Sequence, residues 1–433
     1  MAHVKEACAF LGEGNGRLPT LEARVHGRSR RLDDDELFFG VHEAMYNVVA
    51  TNMPGAQWTG VVTTVAVAAL QSGLVEAVAC VGSHPDDPLK PVPLLALTPE
   101  QVLASRGVKP MLSPSLNVLA EVEARGIKRL LFIGVGCSVS ALRGVEHHLG
   151  LEKLYVMGTN CTDNGRESGL RKFLQAVSDE PATAVGYEFM ADYRVHIKHS
   201  TPDGVMRYET IPYFCLPADE LSQGVIAPSC QACFDYTNAC ADLVVGYMGV
   251  PPQHGVPMTQ HTQYCTVRNA AGRELLDAAA ASLVLSPTVS TGDRVPLVMQ
   301  TVLADDAVQL GGGQKPAPRW LGEALAWVLG ALGPKGLEFA RYSIEYHTVR
   351  NALYTARHFP AAQAAQHVPP HAAAIVAAYD GAGAITRRLA MRATSPSGPS
   401  QQEEDGGNAG KAAAVMALAL AITAALLAGL GQS

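Results

Sequence analysis

The run RLLFIGVGCSVSALRGVEHHLGLEKLYVMGTNC, from Arg129 to Cys161, decides the fold class. Arg129 to Ile133 is a short apolar stretch of the kind that fills a buried strand, and Lys153 to Met157 repeats the pattern. Between them, Ser138 to Leu149 reads as a helix. Strands alternating with helices predict an α/β domain built on a largely parallel sheet. Each strand runs into a glycine-containing turn and then a cysteine, Cys137 or Cys161, and strand ends are where such sheets present functional groups.

The same alternation extends outward. Thr59 to Leu70 is predicted as a helix and Val75 to Val81 as a buried strand. Thr98 and Pro99 fit the cap and first position of another helix, and Asn117 to Arg125 predicts a third. Downstream, Tyr193 to His199 and Val205 to Pro212 flank Asp203-Gly204 and alternate in polarity, which predicts a hairpin. Leu243 to Gly249 reads as a strand, Arg273 to Leu285 as a helix, and the chain as mostly helical to about 392. The expected architecture is therefore a largely parallel sheet flanked by helices, with an antiparallel hairpin region and a helical C-terminal part. Residues 393–410 have the composition of a disordered linker, and residues 411–431 form an apolar, alanine-rich stretch read either as a membrane anchor or as a helix packed on protein. The basic run from Arg24 to Arg31 and the acidic one from Asp33 to Glu36 read as a solvated surface segment.

Composition bounds the function. With 48% hydrophobic and 17% charged residues, the chain can bury a substantial core. A net charge of −7 argues against a broad nucleic-acid surface. Nine cysteines in 433 residues are too sparse for a disulfide scaffold, and Met1 to Ala7 lacks the apolar core of a secretory signal, so free thiols in a reducing compartment are expected. No Walker-type loop is present: Gly311 to Gly313 is followed by no Lys-Ser/Thr pair.

Cys230-Gln-Ala-Cys233 places two thiols at the spacing that lets both turn to one metal centre. The chain has no second such pair, so Cys137 and Cys161 are the natural partners. A 4Fe–4S cluster on Cys137, Cys161, Cys230 and Cys233 is the sharpest reading; zinc, a redox dithiol and buried thiols are the alternatives. Cys80, Cys215 and Cys265 sit in apolar or strand-like surroundings and read as buried thiols, with Cys240 as a reserve ligand.

These motifs carry a resemblance. Gly134-Val-Gly-Cys137, Cys230-x-x-Cys233-x-Asp235 and Ala241-Asp-Leu-Val-Val-Gly246 resemble the beta-subunit family of coenzyme F420-reducing hydrogenases, which implies FAD beside an iron–sulfur cluster. Within it, the strings Ala2 to Leu11, Gly55 to Gly60, Arg106 to Pro110, Leu151 to Tyr155, Cys233 to Asn238, Asp242 to Pro251 and Gly333 to Tyr342 resemble the branch of 7-hydroxymethyl chlorophyll a reductases. The neighbouring branch of divinyl chlorophyllide 8-vinyl reductases shares most of them. Gly158-Thr-Asn-Cys161, without a proline before the cysteine, and the segment Pro251 to Val267 favour the hydroxymethyl branch.

That resemblance implies reduced ferredoxin as electron donor, a chlorophyll-type pigment as substrate and a chloroplast location. It leaves open membrane association at thylakoid or envelope, a homo-oligomer, and a non-catalytic zinc-binding, tail-anchored protein as another class. It also implies a second cluster whose Cys-rich motif would lie upstream of the His3–Cys8 run, of which this sequence carries Cys8. The expected organisation is a remnant of that cluster-binding segment over 1–40, an FAD and iron–sulfur core over 41–250 and a C-terminal region over 251–392. For FAD, the candidates are Gln57, Trp58, Thr59, Gly60, Thr63 and Thr64, where hydroxyls meet a helix N-terminus, although a plain capped helix with Trp58 in the core would read alike. Arg106, Lys109 and Ser113 are further candidates, the alternative being a solvated loop, as are Asp235 and Asp242, which could equally cap turns. His254 and His261, in the segment that favours the hydroxymethyl branch, are the candidates for substrate contact or proton donation.

Overall fold

Among the described residues, thirteen strands form in chain order: β1 (Ala44–Ala50), β2 (Ala77–His84), β3 (Asp87–Ala96), β4 (Arg129–Val135), β5 (Lys153–Thr159), β6 (Ala184–Phe189), β7 (Arg194–Ser200), β8 (Met206–Pro212), β9 (Leu243–Gly246), β10 (Gln263–Val267), β11 (Leu283–Ser286), β12 (Ser290–Thr291) and β13 (Lys335–Gly336). The computed structural model describes residues 3–391 except 54, 55, 57, 202, 248, 249, 252, 254, 255, 257–259, 313, 314 and 390. Gln57, His254, the linker over 393–410 and the apolar stretch over 411–431 lie outside the described residues. Among the described residues no helix is long and apolar enough to cross a membrane.

The main sheet has the order β11-β1-β10-β9-β5-β4-β2-β3. Its centre, β9-β5-β4-β2, is parallel, and antiparallel strands extend it on both sides. The centre is parallel because both of its faces are covered. In β4, Leu131 points into a core shared with the helices Val61–Gln71 and Ala270–Ala278, while Leu130 and Phe132 enter a second core with the helices Leu18–His26 and Gly136–Val145. All three are essentially inaccessible, and burying side chains of this size stabilises by about 1.5–3 kcal/mol each.

A second sheet, β6-β7-β8, is the expected hairpin with one additional strand, and it packs on the helix Glu167–Val177 through Val195, Ile197, Phe173 and Leu174. Helices from Val295 to Leu389 make up the C-terminal part, centred on Leu337–His358.

Two readings are corrected. The helix expected over Arg273–Leu285 spans Ala270–Ala278, because Asn269 caps it by accepting from Gly272 N at 3.0 Å. Leu283–Ser286 instead pairs with β1 as the edge strand. The charged segment between Arg24 and Glu36 is also not simply solvated. Glu22 and Glu36 are about 1% exposed; Arg30 pairs with Glu22 at 2.9 Å, and Arg28 and Arg31 hold Glu36. Alternating signs close in sequence satisfied one another by folding inward.

Candidate redox site

The carboxyl ends of β4, β5 and β9 converge, the place where parallel sheets bind ligands. Cys137 follows β4 in the first turn of the helix Gly136–Val145, and Cys161 lies two residues beyond β5. Cys230 and Cys233 bracket a 3-10 turn. The loop carrying them is stitched over both strand ends: Cys161 N donates to Tyr236 O at 3.2 Å, and Asn238 Nδ2 donates to Gly134 O at 2.8 Å. Asn238 adopts the left-handed conformation (φ 58°) that asparagine tolerates better than most residues. Glycine is required beneath it: a Cβ on Gly136 would sit 2.5 Å from the Asp235 carbonyl.

The helical part fixes this loop from the other side. Asn351 donates to the carbonyls of Cys230 (3.2 Å) and Cys233 (2.6 Å). His367 accepts from Asn15 N through Nδ1, which sets the tautomer whose Nε2–H reaches Ala232 O at 2.6 Å. His371 contacts Phe234 O, and Asn15 accepts from Phe234 N. Two residues past Cys161, Asp163 receives both arms of Arg350 at 2.8 Å.

Burial pushes up the pKa of all four thiols, and nearby negative charge adds to it, from Asp235 at Cys137, from Asp163 at Cys230 and from the other cysteines at Cys161 and Cys233: Cys230 goes to about 12, Cys137 rises, and Cys161 and Cys233 rise well above the ordinary value. Such a group of soft donors can be thiolate only beside concentrated positive charge, which a metal centre supplies. No three of their sulfurs lie within 4.8 Å of one another. A single tetrahedral zinc with bonds of about 2.3 Å needs closer convergence. A multi-iron cluster, in which each thiolate binds a different iron, suits the wider spread.

Cys137, Cys161 and Cys230 line a cavity of about 370 Å³. Of the other expected residues, Trp58, Gly60, Thr63, Arg106, Lys109 and Ser113 line it. Trp58, left-handed at φ 56°, stacks on Tyr247 with ring centres 4.5 Å apart. Ser113 Oγ and Asn160 Oδ1 are buried without a partner in the chain, so the walls hold unspent hydrogen-bonding groups suited to a polar cofactor. Lys109 is partly committed: its ammonium caps the helix Pro99–Ala104 through the carbonyls of Ser105, Arg106 and Gly107, and burial lowers its pKa to about 8.

The remaining expected residues do other work. The Thr59 hydroxyl accepts from Ala50 N, and that of Thr64 donates to Gly60 O. Asp235 accepts from Ala239 N through one oxygen. Asp242 accepts from Arg143, Asn269 and Val156 N and so joins two strands and two helices. His261 uses both ring nitrogens, on Gln253 N and Thr262 O. Cys240 lies in the core beneath the sheet with Val156 and Val244. The sequence reading did not single out Asn160, Asp163, Tyr187, Glu188, Asn351 or His367. Asn160 and Asp163 flank Cys161, whereas Asn351 and His367 carry no local signal, being more than a hundred residues from the loop they hold.

Residues 45–120 and 127–289 match the two parts, N-terminal and C-terminal, of the coenzyme F420 hydrogenase/dehydrogenase beta subunit. The chain is 58% identical over 391 residues to 7-hydroxymethyl chlorophyll a reductase, chloroplastic, of Oryza sativa subsp. japonica, covering 90% of this chain and 82% of that protein. This chain belongs to the coenzyme F420 hydrogenase/dehydrogenase beta-subunit family. An uncharacterized protein of Nostoc sp. is 47% identical over 380 residues, 87% of this chain and 90% of that one. Among solved structures, a chain of the F420-reducing [NiFe] hydrogenase complex from Methanosarcina barkeri aligns with TM-score 0.51 and 20% identity over 66% of this chain and 99% of that one, which shows a shared fold. The family segments map onto the cavity: the N-terminal one brings Trp58, Thr63 and Ser113, and the C-terminal one brings Cys137, Cys161 and Cys230, with Cys233 on the same loop as Cys230. Asn351, His367 and His371, which hold the cysteine loop, lie outside both family segments.

Proposed function

We propose that this chain is a chloroplast oxidoreductase that reduces 7-hydroxymethyl chlorophyll a to chlorophyll a with electrons from reduced ferredoxin. The observation that carries this reading is the 58% identity, over 82% of its length, to a protein bearing that activity in its name. In this reading Cys137, Cys161, Cys230 and Cys233 hold a 4Fe–4S cluster, and FAD occupies the adjoining cavity. When bound, the cluster passes single electrons and the flavin gathers two for delivery to the pigment. The chain's own contribution is placement. The Cys230–Cys233 loop is clamped by Asn351 and His367, so the thiols keep a fixed spacing. The N-terminus of the helix Val61–Gln71, with Thr63, offers amide dipoles to a phosphate. Asn160 Oδ1 and the Ser113 hydroxyl supply unspent hydrogen-bonding groups, and Trp58, Tyr247 and Tyr187 give flat apolar walls that keep water from the reacting atoms.

The test is direct. Protein reconstituted anaerobically with iron, sulfide and FAD is offered 7-hydroxymethyl chlorophyll a and divinyl chlorophyllide in parallel, with reduced ferredoxin. Conversion of the first supports the reading. Loss of the 8-vinyl group with the hydroxymethyl pigment untouched would assign the neighbouring branch. A colourless protein that takes up zinc alone and no flavin would end the redox reading.

A further inference from the structure

Converting a hydroxymethyl group to methyl breaks a carbon–oxygen bond. Two electrons and two protons enter; the products are the methyl group and water. Hydroxide is a poor leaving group, so an acid must protonate the departing oxygen while carbon receives a hydride equivalent. His254 lies outside the described residues, and His261, the other expected proton source, has both nitrogens occupied within its own loop.

The cavity wall offers another acid. Glu188 lies on β6 between Tyr187 and Phe189, and all three line the cavity. Tyr187 and Phe189 turn towards Phe173 on the helix Glu167–Val177 (4.6 and 5.8 Å), so strand alternation sends Glu188 the other way. There it is 5% exposed and meets the hydroxyl of Tyr247, whose ring stacks on Trp58. The surroundings are aromatic and apolar: Trp58 and Met190 form a small core against Tyr208 and Tyr247. Tyr208 Oη is buried there without a partner. Glu188 is thus a buried carboxyl group among aromatic side chains on the wall of the proposed flavin cavity, where it can reach a pigment carbon presented to the flavin.

We infer that Glu188 is the acid that protonates the leaving hydroxyl of the pigment, with Tyr247 orienting its carboxyl group. This rests on the function proposed above. The C–O bond breaks as oxygen takes the Glu188 proton and departs as water. The C–H bond forms with the electron pair and second proton that the reduced flavin of that function supplies. The Glu188 carboxylate then regains a proton from solvent before the next turnover.

The experiment compares Glu188→Gln and Glu188→Asp with the parent in the reconstituted, flavin-loaded protein. Flavin content, the rate of flavin reduction by dithionite, and pigment binding followed by the pigment's absorption shift are read first; all three should match the parent in both variants. Single-turnover oxidation of the reduced protein by 7-hydroxymethyl chlorophyll a is then timed. Glu188→Gln should slow this step by about 10²–10⁴-fold, the range removed with a general acid, and Glu188→Asp should recover part of it. A Glu188→Gln rate within threefold of the parent would overturn the assignment. Loss of flavin in Glu188→Gln would also overturn it, making the residue part of the cofactor cradle. If the parent fails to convert the hydroxymethyl pigment at all, the proposed function itself fails and Glu188 loses its role with it.

Discussion

The side-chain amide of Asn351 donates to the carbonyl oxygen of Cys233 at 2.6 Å, across 118 positions of sequence. Its second hydrogen bond, to Cys230 O, makes this one buried residue of the helix Leu337–His358 the clamp of the whole Cys-x-x-Cys turn. Replacing it by leucine keeps the branching and strands the Cys233 carbonyl, at about 1–3 kcal/mol, while Cys230 O keeps the bond from Cys233 N. We expect Asn351→Leu to fold, to bind iron less tightly, and to lose its cluster faster on exposure to air. Iron retention against time after aeration is the measurement. Parent-like retention would show that the loop needs no clamp.

The four proposed ligands should behave as a set. Serine oxygen is a hard donor and poorly suited to iron–sulfur ligation. Cys137→Ser, Cys161→Ser, Cys230→Ser and Cys233→Ser should each lose most of the iron and labile sulfide. Cys240→Ser should retain both, because Cys240 is buried in the core beneath the sheet. Full iron in Cys161→Ser together with loss in Cys240→Ser would reassign the fourth ligand.

Arg350 and Asp163 form a largely buried, two-armed ion pair at 2.8 Å beside Cys161. Removing one partner leaves the other charge uncompensated, which costs about 3–5 kcal/mol. Arg350→Leu should therefore lower the urea midpoint markedly, whereas the double variant Arg350→Leu/Asp163→Asn should recover much of it. A double variant no more stable than the single would mean that packing, not charge, dominates there.

Stability should fall on the acid side. Burial, the leading cause, and the neighbouring Arg268 lower His26 from 6.5 to about 4. Its Nδ1 accepts from Asn269 while Nε2–H donates to Ala239 O, so a second ring proton would break the Asn269 bond. A group lowered on folding stabilises the native state above its unfolded pKa. Its contribution is lost as pH falls from about 6.5 towards 4. Burial alone would raise Glu36, yet Arg28 and the Arg31 amide hold it down to about 2, so its share is present above 4.5 and fades below. Urea unfolding at pH 7, 5.5 and 4.5 should show a steady decline that is shallower in His26→Gln. Parallel profiles for parent and variant would remove His26 from the account.

Close approach can be tested at Gly136, where a Cβ would meet the Asp235 carbonyl at 2.5 Å. Backbone on both sides leaves nothing flexible to yield, so Gly136→Ala should cost about 1–3 kcal/mol and pull the Cys233–Asp235 segment away from Cys137. Thermal unfolding and iron content together check it. An alanine variant with parent stability and full iron would show that the loop can shift freely.

The sequence by itself determined the parallel centre of the sheet. Apolar runs at Arg129–Ile133 and Lys153–Met157 with a helix between them have few other ways to bury both faces, and they form β4 and β5 side by side. It also marked Cys137, Cys161 and the Cys230–Cys233 pair, since each follows a local turn signal written in adjacent residues. Only the tertiary structure brought Cys137, Cys161 and Cys230 to the wall of one cavity, because the approach depends on the strand order β9-β5-β4, which local pattern does not encode. It also withdrew Asp242 and the hydroxyls of Thr59 and Thr64 into structural hydrogen bonds. In their place it brought in Asn351, His367 and Glu188. A buried polar group takes whichever partner the fold delivers, and an isolated Asn, His or Glu carries no periodicity to announce its partner in advance.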